Sequence, residues 1–423
     1  MLKQLSFRVF GFIVFSFFCS FAFAQNSEQG IAQLNSRVEL LERKLFAQEL
    51  KIDEQAKTQE TLDNIKKTFD GLTISAGSTF IVQTTHNANG DDLSKNSEDV
   101  TDASHSMDLE FEKKFDDGAI AFIHLETGDG AGVEDELKVF SNVNQDADDS
   151  NSSVNATEVW YEYYSKSAPV TVTFGKIDST CYLDTNVYAD DECTRFLGHI
   201  FRNSPVIEFP DDNAAGIRFL LEPAEWFDIE TQILDANADG EDMFDNVFVS
   251  SQFNIKPNFM GRPGNYRVYG WLNDKEHTKW IDPSKTKEKG FGIGVSFDQE
   301  LSDKLGLFAR YGWQDPDVFA SGDDFSLAQS WSMGLQLQGS IWGRDEDSFA
   351  IAFGQVIASD EYKKANFLNA KSEEHLEVYY SFKINEHLTF IPDLQLICDP
   401  YGGDAANGDK TIVVGGVRTQ VDF

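Results

Sequence analysis

The feature that most constrains this sequence is an alternation of apolar and polar residues that recurs in segment after segment beyond Gly71. In the last segment, Val417 and Val421 share one face with other apolar residues, while Arg418 and Gln420 lie on the opposite face. A period of two residues places successive side chains on opposite sides of a β-strand. We therefore predict strands with one face for an apolar phase and one face for water.

Sixteen such segments follow one another, and the connections between them alternate between short turns and long, acidic loops. The predicted strands are 72–86, 107–115, 119–128, 157–166, 169–178, 214–222, 226–236, 246–256, 264–274, 289–299, 304–314, 329–342, 347–358, 374–385, 387–398 and 411–423. This rhythm is typical of an outer-membrane barrel, whose closure pairs every backbone group that lipid cannot satisfy. The predicted fold class is therefore an all-β antiparallel transmembrane barrel. A soluble β-sandwich or β-helix is the competing interpretation, because its strands also alternate.

The first 24 residues have the layout of a cleaved secretory signal. Lys3 and Arg8 form a basic start, an apolar stretch follows, and small residues precede the junction between Ala24 and Gln25. We predict cleavage at that junction and export of the protein. A membrane anchor is the alternative, but the apolar stretch is too short to span a bilayer. A lipid-attachment signal at Cys19 lacks the small residues that would precede it.

Residues 25–70 have a different periodicity. Apolar residues recur there at heptad spacing: Ile31, Val38, Leu45 and Ile52 in one register, Leu34 and Leu41 in the other. The pattern predicts a periplasmic α-helical coiled coil that joins copies of the chain, for example into a trimer. A helix folded back on the main domain is the alternative. The predicted domains are thus a signal at 1–24, a coiled coil at 25–70 and a barrel at 71–423.

Charge and composition exclude several classes of protein. The formal net charge is −36, and neutralising nucleic-acid phosphates needs a basic surface, so we expect no nucleic-acid partner. A mean hydropathy of −0.36 excludes a bundle of transmembrane helices. Because no zinc-like histidine spacing, nucleophile elbow or phosphate loop is present, we predict neither an enzyme nor a cofactor.

The connection from 179 to 213 is too long and too aromatic to be merely a solvated loop. A barrel of sixteen strands is wide enough for an aqueous channel and needs a constriction. We predict that this segment folds inward and narrows the channel; a loop packed at a subunit contact is the alternative. Its candidate channel-lining or substrate-binding residues are Asp184, Asn186, Tyr188, Glu192, Arg195 and Arg202.

The same segment contains Cys181 and Cys193, twelve residues apart. In an oxidising compartment this spacing predicts a disulfide, whereas Cys398 has no obvious partner. Farther along, Asp235, Asn237 and Asp239 form the first half of a calcium-loop pattern. Position twelve of that pattern is Asn246 instead of Glu, and an acidic external loop is the commoner explanation of such a segment.

Strand alternation also assigns residues to the channel wall. The predicted inward residues are Arg218, Arg267, Tyr269, Trp271, Arg310 and Arg418, with the acidic counterparts Glu110, Glu112, Glu158, Glu162 and Glu230. Aromatic faces stack on the apolar faces of sugar rings, while arginines and carboxylates hydrogen-bond vicinal hydroxyls. The set therefore suits neutral polyols. The plainer interpretation is that these are the wall charges of any water-filled barrel.

Two segments resemble a known family. The first is Pro392-Asp393-Leu394-Gln395-Leu396-Ile397 with its trailing Asp399-Pro400-Tyr401-Gly402-Gly403, and the second is Phe174-Gly175-Lys176-Ile177-Asp178. Together with the closing Gly416–Phe423 stretch, they resemble the carbohydrate-selective porins of the OprB type over about residues 157–423. The resemblance implies a sixteen-stranded channel for passive sugar uptake in the outer membrane of a Gram-negative cell. The coiled coil looks like an addition found in some relatives.

We therefore predict a porin for small hydrophilic solutes, saccharides above all. A general or cation-preferring porin is one alternative, because acidic loops concentrate cations at the channel mouth. An envelope-tethering structural protein anchored by its barrel is another. The expected partners are outer-membrane lipids, small polar solutes, further copies of the chain, and the barrel-assembly machinery through the C-terminal Phe423.

Overall fold

The computed structural model describes residues 28–90, 98–147, 152–243, 245–320, 324–404 and 410–423. The chain divides into two compact units between Asp70 and Gly71. The predicted signal and its cleavage between Ala24 and Gln25 lie outside the described residues and stay predictions.

Helix α1 (Glu28–Phe69) is the regular element of the first unit and is 42 residues long. Several apolar side chains of the heptad pattern are exposed along it, including Val38, Leu41, Leu45 and Ile52. Association of α1 with further copies, and its place in the periplasm, stay predictions. Within the described part of the chain, no helix combines the length and the hydropathy that crossing a membrane requires.

The second unit is one antiparallel sheet. Its strands are β1 (Leu72–His86), β2 (Thr101–Lys114), β3 (Ile120–Asp129), β4 (Asn155–Tyr164), β5 (Val170–Ile177), β6 (Ala214–Ala224), β7 (Phe227–Asp235), β8 (Val247–Ile255), β9 (Asn258–Phe259), β10 (Arg262–Lys279), β11 (Glu288–Ser302), β12 (Leu305–Gln314), β13 (Val318–Ala320), β14 (Leu327–Gln338), β15 (Ser348–Ala358), β16 (Glu373–Asn385), β17 (Leu388–Cys398) and β18 (Ile412–Asp422). Strands β9 and β13 are short additions of two and three residues. The other strands pair in sequence, and β1 also pairs with β18, so the sheet closes. The predicted barrel of sixteen strands is confirmed.

The two faces of the wall differ as the alternation predicts. On β10, Val268 is 54% exposed on the outer face, whereas the next inward residues, Arg267 and Tyr269, are buried. Large apolar side chains such as Phe80, Ile293 and Met333 continue this exposed outer band around the barrel. An apolar exterior of this kind suits contact with lipid. The predicted interior and exterior sets thus lie on opposite faces.

A hydrophobic core lies inside the barrel. The loop between β5 and β6 contains the short helix α2 (His199–Arg202), and Phe196 beside it packs against Phe308 and Tyr379 of the wall. Its ring centroid lies 4.9 Å from that of Tyr379 and 5.7 Å from that of Phe308. The wall accommodates the loop through small residues, since a Cβ at Gly354 would lie 2.7 Å from Ile200 Cδ1. The loop is therefore packed as tightly as a protein interior.

Candidate functional site

The β5–β6 loop, residues 178–213, lies within the lumen and is held by buried polar contacts. Asp184 is fully buried, and its carboxylate Oδ2 lies 3.2 Å from Arg310 Nε on β12. The guanidinium of Arg310 also donates to the carbonyl oxygens of Asp184 (3.0 Å) and Phe201 (2.5 Å). Burial raises the pKa of Asp184, and Arg310 opposes that shift. One wall arginine therefore holds two separate points of the loop.

Other wall residues hold the loop in the same way. Arg418 of β18 donates to the carbonyl oxygens of Glu192 and Arg195. Asn186 donates to the Phe297 carbonyl at 3.1 Å, and Tyr188 covers Gly306 of β12, where any side chain would collide with the ring. These contacts occupy the side chains of Arg418 and Asn186, two of the groups that the sequence assigned to solute binding.

The loop also carries its own ion pairs. Arg195 pairs with Asp190, and Arg202 pairs with Glu192. Glu192 and Arg195 keep partial exposure, whereas Arg202 is buried. Two of the predicted lining residues of the loop therefore retain access to the channel, together with the half-buried Tyr188.

Several predicted lining residues need correction. These residues were predicted to line open water, but the inward-folded loops and neighbouring side chains bury them, so they anchor the structure instead. The buried residues are Asp184, Asn186, Arg202, Arg267, Tyr269, Trp271, Arg310 and Arg418. Arg267, for example, is paired at 2.6 Å with Asp298 of the adjacent strand. Alternation along a strand shows whether a side chain points inward or outward. It does not show whether a loop from elsewhere in the chain covers that side chain.

Two anchoring carboxylates on β16 were missed by sequence reasoning. Glu377 accepts hydrogen bonds from the backbone N–H groups of Leu197 (2.6 Å) and Gly198 (2.9 Å). Glu373 accepts the N–H groups of Phe140 (2.9 Å) and Tyr401 (2.6 Å), so it fixes two further loops. The available signal was their position on the inward face of the strand, since a carboxylate that is buried there needs hydrogen-bond donors.

The face of the lumen formed by β2, β3 and β4 is acidic and keeps partial exposure. Cross-strand register places its carboxylates on the inner face, and we call this set the acidic strip: Asp108, Glu110, Glu112, Glu126, Glu158 and Glu162. Among these strands, Phe122 and Trp160 stack with a centroid distance of 4.8 Å and an interplanar angle of 26°. The strip therefore combines hydrogen-bond acceptors with an aromatic surface.

One arginine and one tyrosine extend this surface. Arg218 of β6 pairs with Glu230 at 2.5 Å and with Glu162 at 3.1 Å. Its guanidinium carbon lies 4.1 Å from the ring centroid of Tyr182 in the β5–β6 loop. Arg218 faces inward as predicted, but it is buried like the other wall arginines and needs the same correction, because its charge is shared between two carboxylates and an aromatic ring.

The predicted disulfide between Cys181 and Cys193 is not formed. The three cysteines in the described residues are free thiols. The Cys181 sulfur donates to Asp178 at 3.1 Å, whereas the Cys193 sulfur donates to Asp146 of the β3–β4 loop at 3.3 Å. The loop thus directs the two thiols to different carboxylates, which sequence spacing does not reveal.

The segment after β7 uses its side chains within the loop. Asp235 accepts the Gly240 N–H at 3.3 Å, and Asp239 accepts the side-chain amide of Asn237 at 2.9 Å. These contacts are those of an acidic turn. Calcium binding by Asp235, Asn237 and Asp239 stays an untested expectation.

Two carboxyl groups of the β3–β4 loop have strongly shifted pKa values. Burial raises the pKa of both Glu134 and Asp146 to about 7. Glu134 accepts the N–H of Asn144 at 2.7 Å, and Asp146 accepts the hydroxyl of Ser106 at 3.0 Å. Nearby Glu192 raises and Arg418 lowers the pKa of Asp146, and Asp135 raises that of Glu134.

Raising the pH from about 5 to about 8 is expected to loosen the β3–β4 loop. Because the folded-state pKa lies above the ordinary carboxyl value, the folded protein holds protons that an unfolded loop would release. The stabilisation is present below about pH 4 and is lost as the pH rises through about 7. Protection factors for hydrogen exchange of the backbone of 130–147, which remove the base-catalysed rise of the intrinsic exchange rate, should therefore fall across this range. A Glu134→Gln, Asp146→Asn variant should lack the change, and an equal response in both proteins would contradict it.

The comparisons with known proteins agree with this architecture. A family model described as "Carbohydrate-selective porin, OprB family" matches residues 72–423. A curated but uncharacterized protein of Aquifex aeolicus (strain VF5) is 25% identical over 228 residues, which is 53% of this chain and 58% of that relative. The alignment thus spans less than two thirds of the relative's length.

Solved structures share the fold. The high-pH structure of Pseudomonas putida OprB superimposes with a TM-score of 0.70 at 16% identity, covering 88% of this chain and 97% of that chain. The outer-membrane channel DcaP of Acinetobacter baumannii has a TM-score of 0.52 at 12% identity, covering 83% and 97% of the two chains. An anion-selective porin from Comamonas acidovorans has a TM-score of 0.52 at 10% identity, covering 83% and 99%.

The family match covers the whole barrel, from the start of β1 to Phe423. This chain belongs to the OprB family of carbohydrate-selective porins.

Proposed function

We propose that this protein is an outer-membrane channel through which small hydrophilic solutes, saccharides above all, diffuse passively. The observation that carries the proposal is the packing of the β5–β6 loop inside a closed barrel, which covers much of the inner wall while the acidic strip keeps partial exposure. The members of the OprB porin family are channel proteins, and so are the solved structures with this fold. We therefore propose transport through the lumen and no catalytic reaction.

The contacts around Trp160 support a saccharide as the solute. Its indole N–H donates to Glu158 at 3.0 Å, which holds the ring in one orientation beside Phe122. Glu162 accepts the hydroxyl of Thr173 at 2.8 Å and is thereby also held in place. A fixed aromatic surface beside fixed hydrogen-bonding groups matches a sugar ring, which has apolar faces and a polar edge.

Planar-bilayer conductance in KCl, titrated with mono- and disaccharides, tests this function. We expect concentration-dependent block by at least one sugar, because a solute in the constriction excludes ions. Trp160→Ala should weaken the block about tenfold, which corresponds to about 1.4 kcal/mol. The matched control is Trp226→Ala, since Trp226 is exposed in the turn between β6 and β7.

Other outcomes favour the alternatives. The acidic strip supports a general, cation-preferring channel as the second candidate, because a wall of one sign concentrates ions of the opposite sign. Stable conductance without sugar block, with a cation-selective reversal potential, would replace the saccharide proposal by that one. Absence of conductance from correctly folded protein would favour the envelope-tethering protein.

A further inference from the structure

A mixed set of ligand groups lies on the inner face of β2 and β3. Asp108, His124 and Glu126 each place one ligand atom within 4.8 Å of the other two. Asp108 is directly opposite Glu126 in the antiparallel register, and His124 is two residues before Glu126 on the same strand. The three side chains therefore share one face, and two hydrogen-bonded strands fix their spacing.

The imidazole of His124 lies between carboxylates of different strands. Its Nε2 is 2.8 Å from Asp108 Oδ1, and its Nδ1 is 3.9 Å from Glu158 Oε1 on β4. Glu158 is itself fixed, since its Oε2 accepts the indole N–H of Trp160 at 3.0 Å and the backbone N–H of Asp178 at 3.3 Å. A metal-binding histidine usually directs its second nitrogen to such a carboxylate, which orients the ring. Glu158 is the carboxylate on the Nδ1 side of the ring, at a separation longer than a hydrogen bond, and it is not one of the three ligand groups.

We propose that Asp108, His124 and Glu126 bind a divalent first-row transition-metal ion, with Zn²⁺ as the reference case, inside the lumen. One imidazole nitrogen and two carboxylate oxygens form a ligand set that suits Zn²⁺. Hard cations such as Ca²⁺ and Mg²⁺ take oxygen ligands, so the imidazole favours the transition metals. Three protein ligands leave a coordination position for water or for a solute in the channel.

A bound dication would change the electrostatics of the acidic strip. It would add two positive charges next to carboxylates that otherwise attract cations, and so lower the cation preference of the lumen. This consequence rests on the proposed channel function, whereas the metal site itself rests only on the geometry of the three strands. Direct binding and conductance therefore need separate measurements.

The direct test is calorimetric titration of the full-length protein in detergent with ZnCl₂, after removal of metals with EDTA. A Cys181→Ser, Cys193→Ser, Cys398→Ser background removes the three free thiols of the described residues as competing ligands. We expect one Zn²⁺ per chain, at least tenfold weaker binding in His124→Ala, and about tenfold weaker binding in Glu158→Gln with the stoichiometry unchanged. The matched control is His387→Ala, whose imidazole lies 3.5 Å from Glu386 in the β16–β17 turn; it should bind like the background protein.

Folding of each variant is checked by its heat-dependent electrophoretic mobility, and Asp108→Asn replaces His124→Ala if the latter fails to fold. Absence of Zn²⁺ binding at micromolar concentration would overturn the proposal. So would a folded His124→Ala or Asp108→Asn variant that binds Zn²⁺ as tightly as the background protein does. Conductance with and without Zn²⁺ is then recorded. Calorimetric binding by a protein that does not conduct would refute the channel function and leave the metal site standing.

Discussion

Replacing Glu377 by alanine is expected to raise the single-channel conductance at least about twofold and to make the open channel noisy. The reason is that both oxygens of this buried carboxylate are occupied by the N–H groups of Leu197 and Gly198 in the β5–β6 loop. Removing the carboxylate leaves two buried donors without a partner, which favours loop positions away from the wall. Single-channel recording in KCl measures both effects.

Two further variants of the same contact sharpen this test. Glu374→Ala serves as the control, because this neighbouring carboxylate on β16 accepts from the Gln355 side-chain amide at 2.7 Å and from the Ser372 hydroxyl at 3.1 Å. Gly198→Ala keeps the carboxylate but places a Cβ 2.9 Å from Glu377 Oε2, so it should reproduce part of the effect. Quiet, unchanged conductance in Glu377→Ala and Gly198→Ala would show that other contacts hold the loop.

Arg310→Met is expected to destabilise the folded barrel by about 3–5 kcal/mol. The substitution removes the cation beside Asp184 and leaves that buried carboxylate without its charge partner. It also removes the donor to the Phe201 carbonyl, so two points of the loop lose their contact with β12. Denaturant titration in detergent, followed by electrophoretic mobility and fluorescence, measures the loss.

A double-variant cycle separates charge from packing in this pair. Asp184→Asn combined with Arg310→Met removes both charges, and we expect it to recover a substantial part of the lost stability. The matched control is Arg344→Met, because the Arg344 ion pair with Asp347 lies in the β14–β15 turn, outside the lumen. If the double variant is no more stable than Arg310→Met, packing of the long side chain is the cause instead of charge pairing.

The strand pattern is the part of this structure that sequence reasoning predicted best. All sixteen predicted strands are present, because lipid outside and water inside impose a strict two-residue period. The ends of some strands differ: β2 begins at Thr101 instead of residue 107, since it continues to pair with β1 as far as Thr84. Pairing with a neighbour extended a strand whose own sequence is too polar to indicate it.

The candidate site was predicted less well, and the failures share one cause. Asp184, Asn186 and Arg310 were assigned to the channel, but the structure buries them as contacts between loop and wall. Leu197 and Glu377 are 180 residues apart in the chain, so no local pattern connects them. The disulfide prediction failed for the same reason, because Asp146 from another loop meets the Cys193 thiol.

The sequence by itself determined the barrel, the direction in which each wall side chain points, and the family. Each of these follows from local periodicity or from short motifs, and a membrane permits few other folds for such a pattern. Only the tertiary structure decided which inward residues meet water. Loops that fold into the lumen cover wall arginines while the acidic strip keeps partial exposure, and that choice depends on packing between residues far apart in the chain.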